Sequence, residues 1–207
     1  MTRKSNFDNV AWFYDPLVRI VFGKQMRMSQ IRFLDTISPG STVLILGGGT
    51  GWILDELFAR TGDCTVYYVE SSRSMLDRAT KHGRGFNVRF IPGGWEGLPD
   101  VEFDAVITHY FLDLFTNHTL QRVCDAISAR VKRGGTWLVS DFVQSRTWHR
   151  IMLWIMYRFF GITCGIEAAQ LPAWEGHVAR TGFVLRSYDF FYGGFMKSAR
   201  FVRGNAR

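Results

Sequence analysis

Thr42-Val-Leu-Ile-Leu-Gly-Gly-Gly-Thr-Gly51 is the stretch on which the reading of this chain turns. Apolar and β-branched residues run directly into a glycine cluster, and a helix-period pattern follows at once. A buried strand that ends in a glycine loop and then a helix brings backbone close to a ligand in α/β proteins. Glycine spacing narrows the ligand. A dinucleotide fingerprint needs glycines at its first, third and sixth positions, and counting from Gly47 the sixth is Trp52. The pattern is instead Gly-x-Gly-x-Gly at 47, 49 and 51. It points away from NAD and toward a nucleoside without a pyrophosphate.

Working outward, short apolar runs alternate with helix-period segments, as in a parallel sheet covered on both faces. Strands are expected at 42–46, 65–69, 88–91, 104–108 and 136–141, with helices at 52–61, 73–82 and 117–131. In the third helix Leu120, Val123, Cys124, Ile127 and Val131 repeat at three- and four-residue steps. Thr116 or Asn117 should cap it, and Gly134-Gly135 should stop it. Two further runs, 183–190 and 195–202, flank Gly193-Gly194 and are expected to pair antiparallel. Residues 6–36 read as helical, broken at Asp15-Pro16. The fold class is therefore α/β: a Rossmann-like, doubly wound sheet of about seven strands, mostly parallel with an antiparallel C-terminal strand. Residues 1–207 are expected to form one domain, with a helical cover over 1–40, a core over 41–207 and a lid-like insertion near 142–175.

A chain of 207 residues can bury ~70% of its unfolded surface in one domain. Its net charge of +7 is spread along the sequence rather than gathered in a stripe, which argues against nucleic acid as a partner. Cysteines 64, 124 and 164 are odd in number and lack metal-ligand spacing, so no metal and no disulfide framework are expected. Cys64 and Cys124 read as core. No apolar stretch follows the opening Met-Thr-Arg-Lys-Ser, so no signal peptide and a cytoplasmic setting are expected.

Four motifs stand in a recognisable order: Leu44-Ile-Leu-Gly-Gly-Gly-Thr-Gly51, Tyr68-Val-Glu-Ser-Ser-Arg-Ser-Met-Leu76, Leu98-Pro99 with Phe103-Asp-Ala-Val106, and Gly134-Gly-Thr-Trp-Leu-Val139. Over nearly its whole length the chain resembles the class I S-adenosylmethionine-dependent methyltransferases. The resemblance implies S-adenosylmethionine as cofactor, lying along Gly47, Gly48, Gly49 and Gly51. Glu70, at the end of the second strand, is placed to accept hydrogen bonds from both ribose hydroxyls. Ser71 would lie against the adenine. The family often has an acid where Gly94 stands, so adenine contact here falls to the backbone of Gly94 and Trp95, unless the Trp95 ring is core. It also commonly carries Asp where Ile45 stands, and that acid helps hold the methionine end. Thr108 and His109 are candidate cofactor contacts, while Tyr110 or Asp113 would face the acceptor. His109 and Asp113 are the candidate catalytic bases; the alternatives are a satisfied structural histidine and a locally bonded aspartate. Tyr14, in Trp12-Phe-Tyr-Asp-Pro16, is a further candidate cofactor contact, by similarity to quinone methyltransferases, against a role in an aromatic core.

Residues 142–166 hold three arginines, no acid and six aromatics. Arg150 and Arg158 bracket too short an apolar run to span a bilayer, which needs ~20 residues. The segment reads as a lid or surface for an apolar, lipid-like acceptor, compatible with peripheral membrane contact, or else as a buried or dimer-forming helix. The function expected is methyl transfer to a small apolar or aromatic molecule by in-line displacement. The other readings are an RNA or protein methyltransferase and a cofactor-binding interaction protein without transfer activity.

Overall fold

In the computed structural model, which describes residues 21–163, 165 and 168–204, seven strands form one sheet in the order β3-β2-β1-β4-β5-β7-β6. The strands are β1 (Thr42–Leu46), β2 (Thr65–Glu70), β3 (Val88–Pro92), β4 (Phe103–His109), β5 (Val131–Phe142), β6 (Phe183–Phe191) and β7 (Met196–Arg203). Strands β1 to β5 pair in parallel, and β7 runs antiparallel to both β5 and β6. The helices are α1 (Gln25–Ile31), α2 (Ile53–Thr61), α3 (Arg73–His82), α4 (Asn117–Ser128), α5 (Thr147–Thr163) and α6 (Trp174–Arg180).

Strand β1 shows why the sheet is wound on both faces. Val43 and Ile45 pack in a cluster with Leu54, Leu57 and Leu76 of α2 and α3. Leu44 and Leu46 point the other way, into a cluster with Val123, Ile127 and Val178 of α4 and α6. Strand side chains alternate with a period of two, so a strand buried on both faces must be apolar throughout. Edge strand β6 instead alternates exposed and half-covered residues. A third cluster, around Phe22, Tyr110, Phe142, Leu153 and Phe195, closes the region where β4 and β5 end.

Local signals set the helix ends. Ser72 Oγ accepts from the Met75 amide at 3.3 Å to cap α3, and Gly62, with φ of 67°, terminates α2. Of the two expected caps of α4, the structure uses Thr116, whose hydroxyl accepts from the Thr119 amide at 3.3 Å.

One expected boundary is wrong. Helix α4 ends at Ser128 and Val131 already belongs to β5, so Gly134-Gly135 lies within the strand rather than stopping the helix. The register against β4 jumps from Phe103↔Val131 to Ala105↔Thr136, which is a bulge. Gly134 has φ of 73°, and a Cβ on Gly135 would meet the Lys132 carbonyl oxygen at 2.8 Å. Both glycines serve the bulge, where extra strand residues crowd one another.

Cys64 and Cys124 are free and buried, as expected for core residues. Tyr14 and Cys164, like the rest of the expected helical cover before residue 21, lie outside the described residues.

Candidate active site

The winding reverses between β1 and β4, since β2 and β3 extend to one side and β5 to the other. Ligands of open α/β sheets bind outside the carboxyl ends of the strands at such a reversal. The 47–51 loop leaves β1 there. The Gly47 amide donates to the Val69 carbonyl at 2.9 Å, and the Tyr68 hydroxyl donates to the Gly49 carbonyl at 3.0 Å. The turn is thus tied to β2 on both sides.

Glu70 completes the tie. It is 5% exposed, and its Oε2 accepts from the Gly49 amide at 3.0 Å while Oε1 accepts from the Ser72 amide at 2.8 Å. Burial pushes its carboxyl above the usual value, and the amides of Ser72 and Gly49 pull it back only in part. An ionised carboxylate has about four acceptor sites. The Ser72 amide and the Ser71 hydroxyl both donate to Oε1, so the capacity left for further donors such as ribose hydroxyls lies chiefly on Oε2. Ser71 is exposed beside it, with Oγ 3.4 Å from Glu70 Oε1.

The four glycines of the loop differ in what demands them. A Cβ on Gly47 would lie 2.4 Å from the Phe111 ring, and one on Gly48 would lie 2.4 Å from the Tyr68 hydroxyl. On Gly51 it would lie 2.5 Å from Ala79 Cα in α3. Only at Gly49 is the space open, with Met75 Sδ the nearest atom at 3.9 Å. Three of these glycines are therefore required by the protein's own packing, and Gly49 is the one beside open space.

At the end of β3 the Gly93 amide donates to the Glu70 carbonyl at 3.0 Å, which sets Gly94 next to the Glu70 turn. Gly94 carries no acid, but a Cβ there would stand 2.8 Å from Glu96 Oε2. The Glu96 carboxylate fills the space beside Gly94. Sequence reasoning passed over it, although an acid two residues on, in the short 3-10 turn Trp95–Gly97, was the available signal. Trp95 is half-buried against the core, and the Arg122 guanidinium lies 5.2 Å from its ring centroid, so the ring has a packing role.

Strand β4 delivers the remaining candidates. Thr108 is fully buried and its Oγ1 accepts the Trp137 indole proton at 2.9 Å, so its side chain serves the core. His109 is half-buried, and both ring nitrogens are buried without a hydrogen bond among the described residues. Burial pushes its pKa down to about 3, against a smaller upward pull from the Gln30 backbone, so the ring is neutral at pH 7. Tyr110 adopts φ of 52° and turns its hydroxyl to Ser29 Oγ at 2.6 Å, joining the third cluster and anchoring α1. Ile45 is 1% exposed in the core, so β1 offers no carboxylate at that position.

Asp113 sits in the short 3-10 turn Leu112–Leu114, buried, and its Oδ1 has no hydrogen bond among the described residues. Its neighbour is Asp141 at the end of β5, which accepts from the amides of Leu112, Asp113 and Phe142 at 3.1, 3.3 and 2.8 Å. Burial pushes Asp113 up to about 7, and burial together with the Asp113 charge raises Asp141. A carboxyl whose folded pKa exceeds its unfolded value contributes stability below the unfolded value and loses it as pH rises through the folded one. Urea unfolding should therefore show the wild type losing about 2 kcal/mol more than Asp113→Asn between pH 5 and pH 8. Equal losses would exclude this origin.

A methyltransferase-domain family model matches residues 43–135. The matched stretch runs from β1 into the bulge of β5, so this part of the chain is similar to a methyltransferase domain. Solved structures share the fold of this chain across most of its length. One chain of the complex between the Haloferax volcanii Trm112 methyltransferase activator and a putative methyltransferase aligns with a TM-score of 0.75, 16% identity and 97% coverage of each chain. Magnesium protoporphyrin IX methyltransferase from Synechocystis, with bound SAH, aligns with a TM-score of 0.68, 18% identity and 96% coverage of each. The cyclopropane synthase MmaA2 of Mycobacterium tuberculosis gives 0.67 at 13% identity, covering 85% of this chain and 83% of that one. No curated protein gives a significant match. The methyl donor of this family is S-adenosylmethionine, and the open backbone at Gly49, the buried carboxylate of Glu70 and the carboxylate beside Gly94 fit such a group.

Proposed function

We propose that this chain transfers a methyl group from S-adenosylmethionine to a small, apolar or aromatic acceptor. The observation that carries the reading is Glu70, held by the Gly49 and Ser72 amides at the reversal point, beside the one loop position where nothing fills the space. In this reading Glu70 binds the ribose hydroxyls. The backbone of Gly47, Gly48, Gly49 and Gly51 lines the donor, and Ser71, Gly94 and Trp95 border the adenine. Thr108 contributes through its backbone. Tyr14 keeps its candidate place as a cofactor contact. Glu96 supplies the acceptor for the adenine amino group that Gly94 cannot.

The cofactor brings a methyl group on a positively charged sulfur, which is both activated and a good leaving group. The chain's task is then to orient the acceptor and exclude water. The aromatic side chains of Tyr110 and Phe142, at the ends of β4 and β5, support an apolar acceptor. His109, neutral and half-buried, orients an acceptor by hydrogen bonding. If the acceptor must lose a proton, Asp113 is the better-matched base, because its pKa lies nearer the working pH. Free, buried Cys64 and Cys124 fit the cytoplasmic setting of this reading.

Titration calorimetry with S-adenosylmethionine tests the first half, and its failure at millimolar cofactor with folded protein would sink the proposal. Product formation across a panel of apolar phenols and amines tests the second. Glu96→Ala should weaken cofactor binding about fivefold or more through loss of a hydrogen bond to a charged acceptor, while the melting temperature stays unchanged. Unaltered affinity would remove Glu96 from the site.

A further inference from the structure

Helix α5 is apolar nearly all the way round, yet among the described residues only one side of it is covered. His149, Leu153 and Tyr157 are buried, and the latter two pack in the cluster of Phe22, Tyr110, Phe142 and Phe195. The opposite side presents Trp148, Ile151, Trp154, Ile155, Phe159 and Ile162 to solvent, with Trp154 66% and Ile162 79% exposed. A helix with apolar residues on every side ordinarily lies inside a protein or against another apolar phase.

Charge identifies the phase. Arg146, Arg150 and Arg158 are exposed, and residues 142–163 contain no aspartate or glutamate. At 100° per residue Arg150 and Arg158 flank Trp154, so cations and tryptophan share one side of the exposed face. A second copy of the chain packed through this face by a two-fold axis would set arginines against arginines, since such an interface is self-complementary. Nucleic acid has no use for a row of isoleucines. Exposed Ile, Phe and Trp beside arginine match an anionic lipid surface, where aromatic rings sit at the headgroup level and arginines meet lipid phosphates. With 17 residues, α5 is about 25 Å long, shorter than the ~30 Å hydrocarbon core, and no described helix is long and apolar enough to cross a membrane.

We propose that α5 is an interfacial helix that seats the protein on an anionic lipid bilayer through its Ile151, Trp154, Ile155 and Ile162 face. Because α5 packs on Tyr110 and Phe142, this seat puts the ends of β4 and β5 next to the lipid. The proposal stands independently of the methyltransferase reading, and its test uses no enzymatic readout.

Sedimentation of the full chain with phosphatidylcholine vesicles, with and without 30 mol% phosphatidylglycerol (about a third of the lipid, enough for a strong anionic surface), is the experiment. Binding should appear with the anionic vesicles, weaken in high salt, and shift tryptophan emission to the blue. Ile151→Gln/Ile155→Gln/Ile162→Gln should reduce partitioning about tenfold or more. Arg150→Gln/Arg158→Gln should reduce it about fivefold or more. All five positions are exposed, and circular dichroism verifies that the variants fold. Absence of vesicle binding overturns the proposal. So does anionic binding that the isoleucine variant leaves intact, which would reflect net charge alone. A wild-type dimer that the isoleucine variant converts to monomer, without lipid binding, would assign the face to a second copy instead.

Discussion

Glu70→Ala is expected to weaken S-adenosylmethionine binding by at least about 100-fold. Hydrogen bonds to a charged acceptor contribute roughly 1.5–3 kcal/mol each, and two ribose hydroxyls would lose theirs together. The same change leaves the Gly49 and Ser72 amides without their acceptor, so the loop loosens as well. Glu70→Gln separates the two effects. Its single carbonyl oxygen can keep one amide, but its NH2 group must face the other N–H, so affinity should fall about tenfold or more with a smaller change in melting temperature. Burial raises the Glu70 carboxyl, so acidification protonates it sooner than an exposed glutamate. A protonated carboxyl accepts fewer hydrogen bonds. Affinity in the wild type should therefore decline as pH falls, from a higher pH than ordinary glutamate titration would give, and Glu70→Gln should lack that decline. Calorimetric Kd values between pH 5 and 8 check this, and a folded Glu70→Ala variant with wild-type affinity would remove the residue from the site.

The second large effect contrasts two glycines of one loop. Gly51→Ala should destabilise the fold by about 3 kcal/mol or more. The new Cβ would stand 2.5 Å from Ala79 Cα, on backbone that cannot swing aside, at a residue with φ of 89°. For a domain of this size that loss lowers the melting temperature by roughly 10 °C. Gly49→Ala has only the left-handed backbone penalty of about 1 kcal/mol, because its nearest neighbour is 3.9 Å away. What it should lose is cofactor affinity, by about tenfold or more, since the methyl group enters the space left for a ligand. Thermal melts and calorimetry on both variants read the two outcomes. Equal stability losses, or an unchanged Kd for Gly49→Ala, would refute the division of labour.

Residues whose roles depend on near neighbours in sequence were legible in advance. The run 42–46 is a strand, Arg73–His82 is a helix, Thr116 caps α4, and Glu70 closes β2 beside the loop. Each follows from periodicity, capping chemistry or the alternation of strand faces. The second glycine pair misled because a glycine pair after a helical pattern reads as a stop. Its partner in the bulge is β4, distant in sequence. Asp141 and Glu96 were missed for a similar reason. An acid gains meaning from what it is buried against or what empty space it enters, and neither appears in a one-dimensional pattern. Thr108 illustrates the converse: its place at the strand end was right, but Trp137 on the neighbouring strand claims its hydroxyl.

By itself the sequence determined the α/β class, the order of the units and a glycine loop whose spacing departs from the dinucleotide fingerprint, because periodicity and backbone permissiveness are local properties. Tertiary structure alone decided which glycines serve packing and which leaves room, that Glu70 is held by two amides, that Asp113 and Asp141 share a buried corner, and that one side of α5 stays uncovered among the described residues. Those are facts about distance and solvent between segments far apart along the chain, and only the packed sheet brings them together.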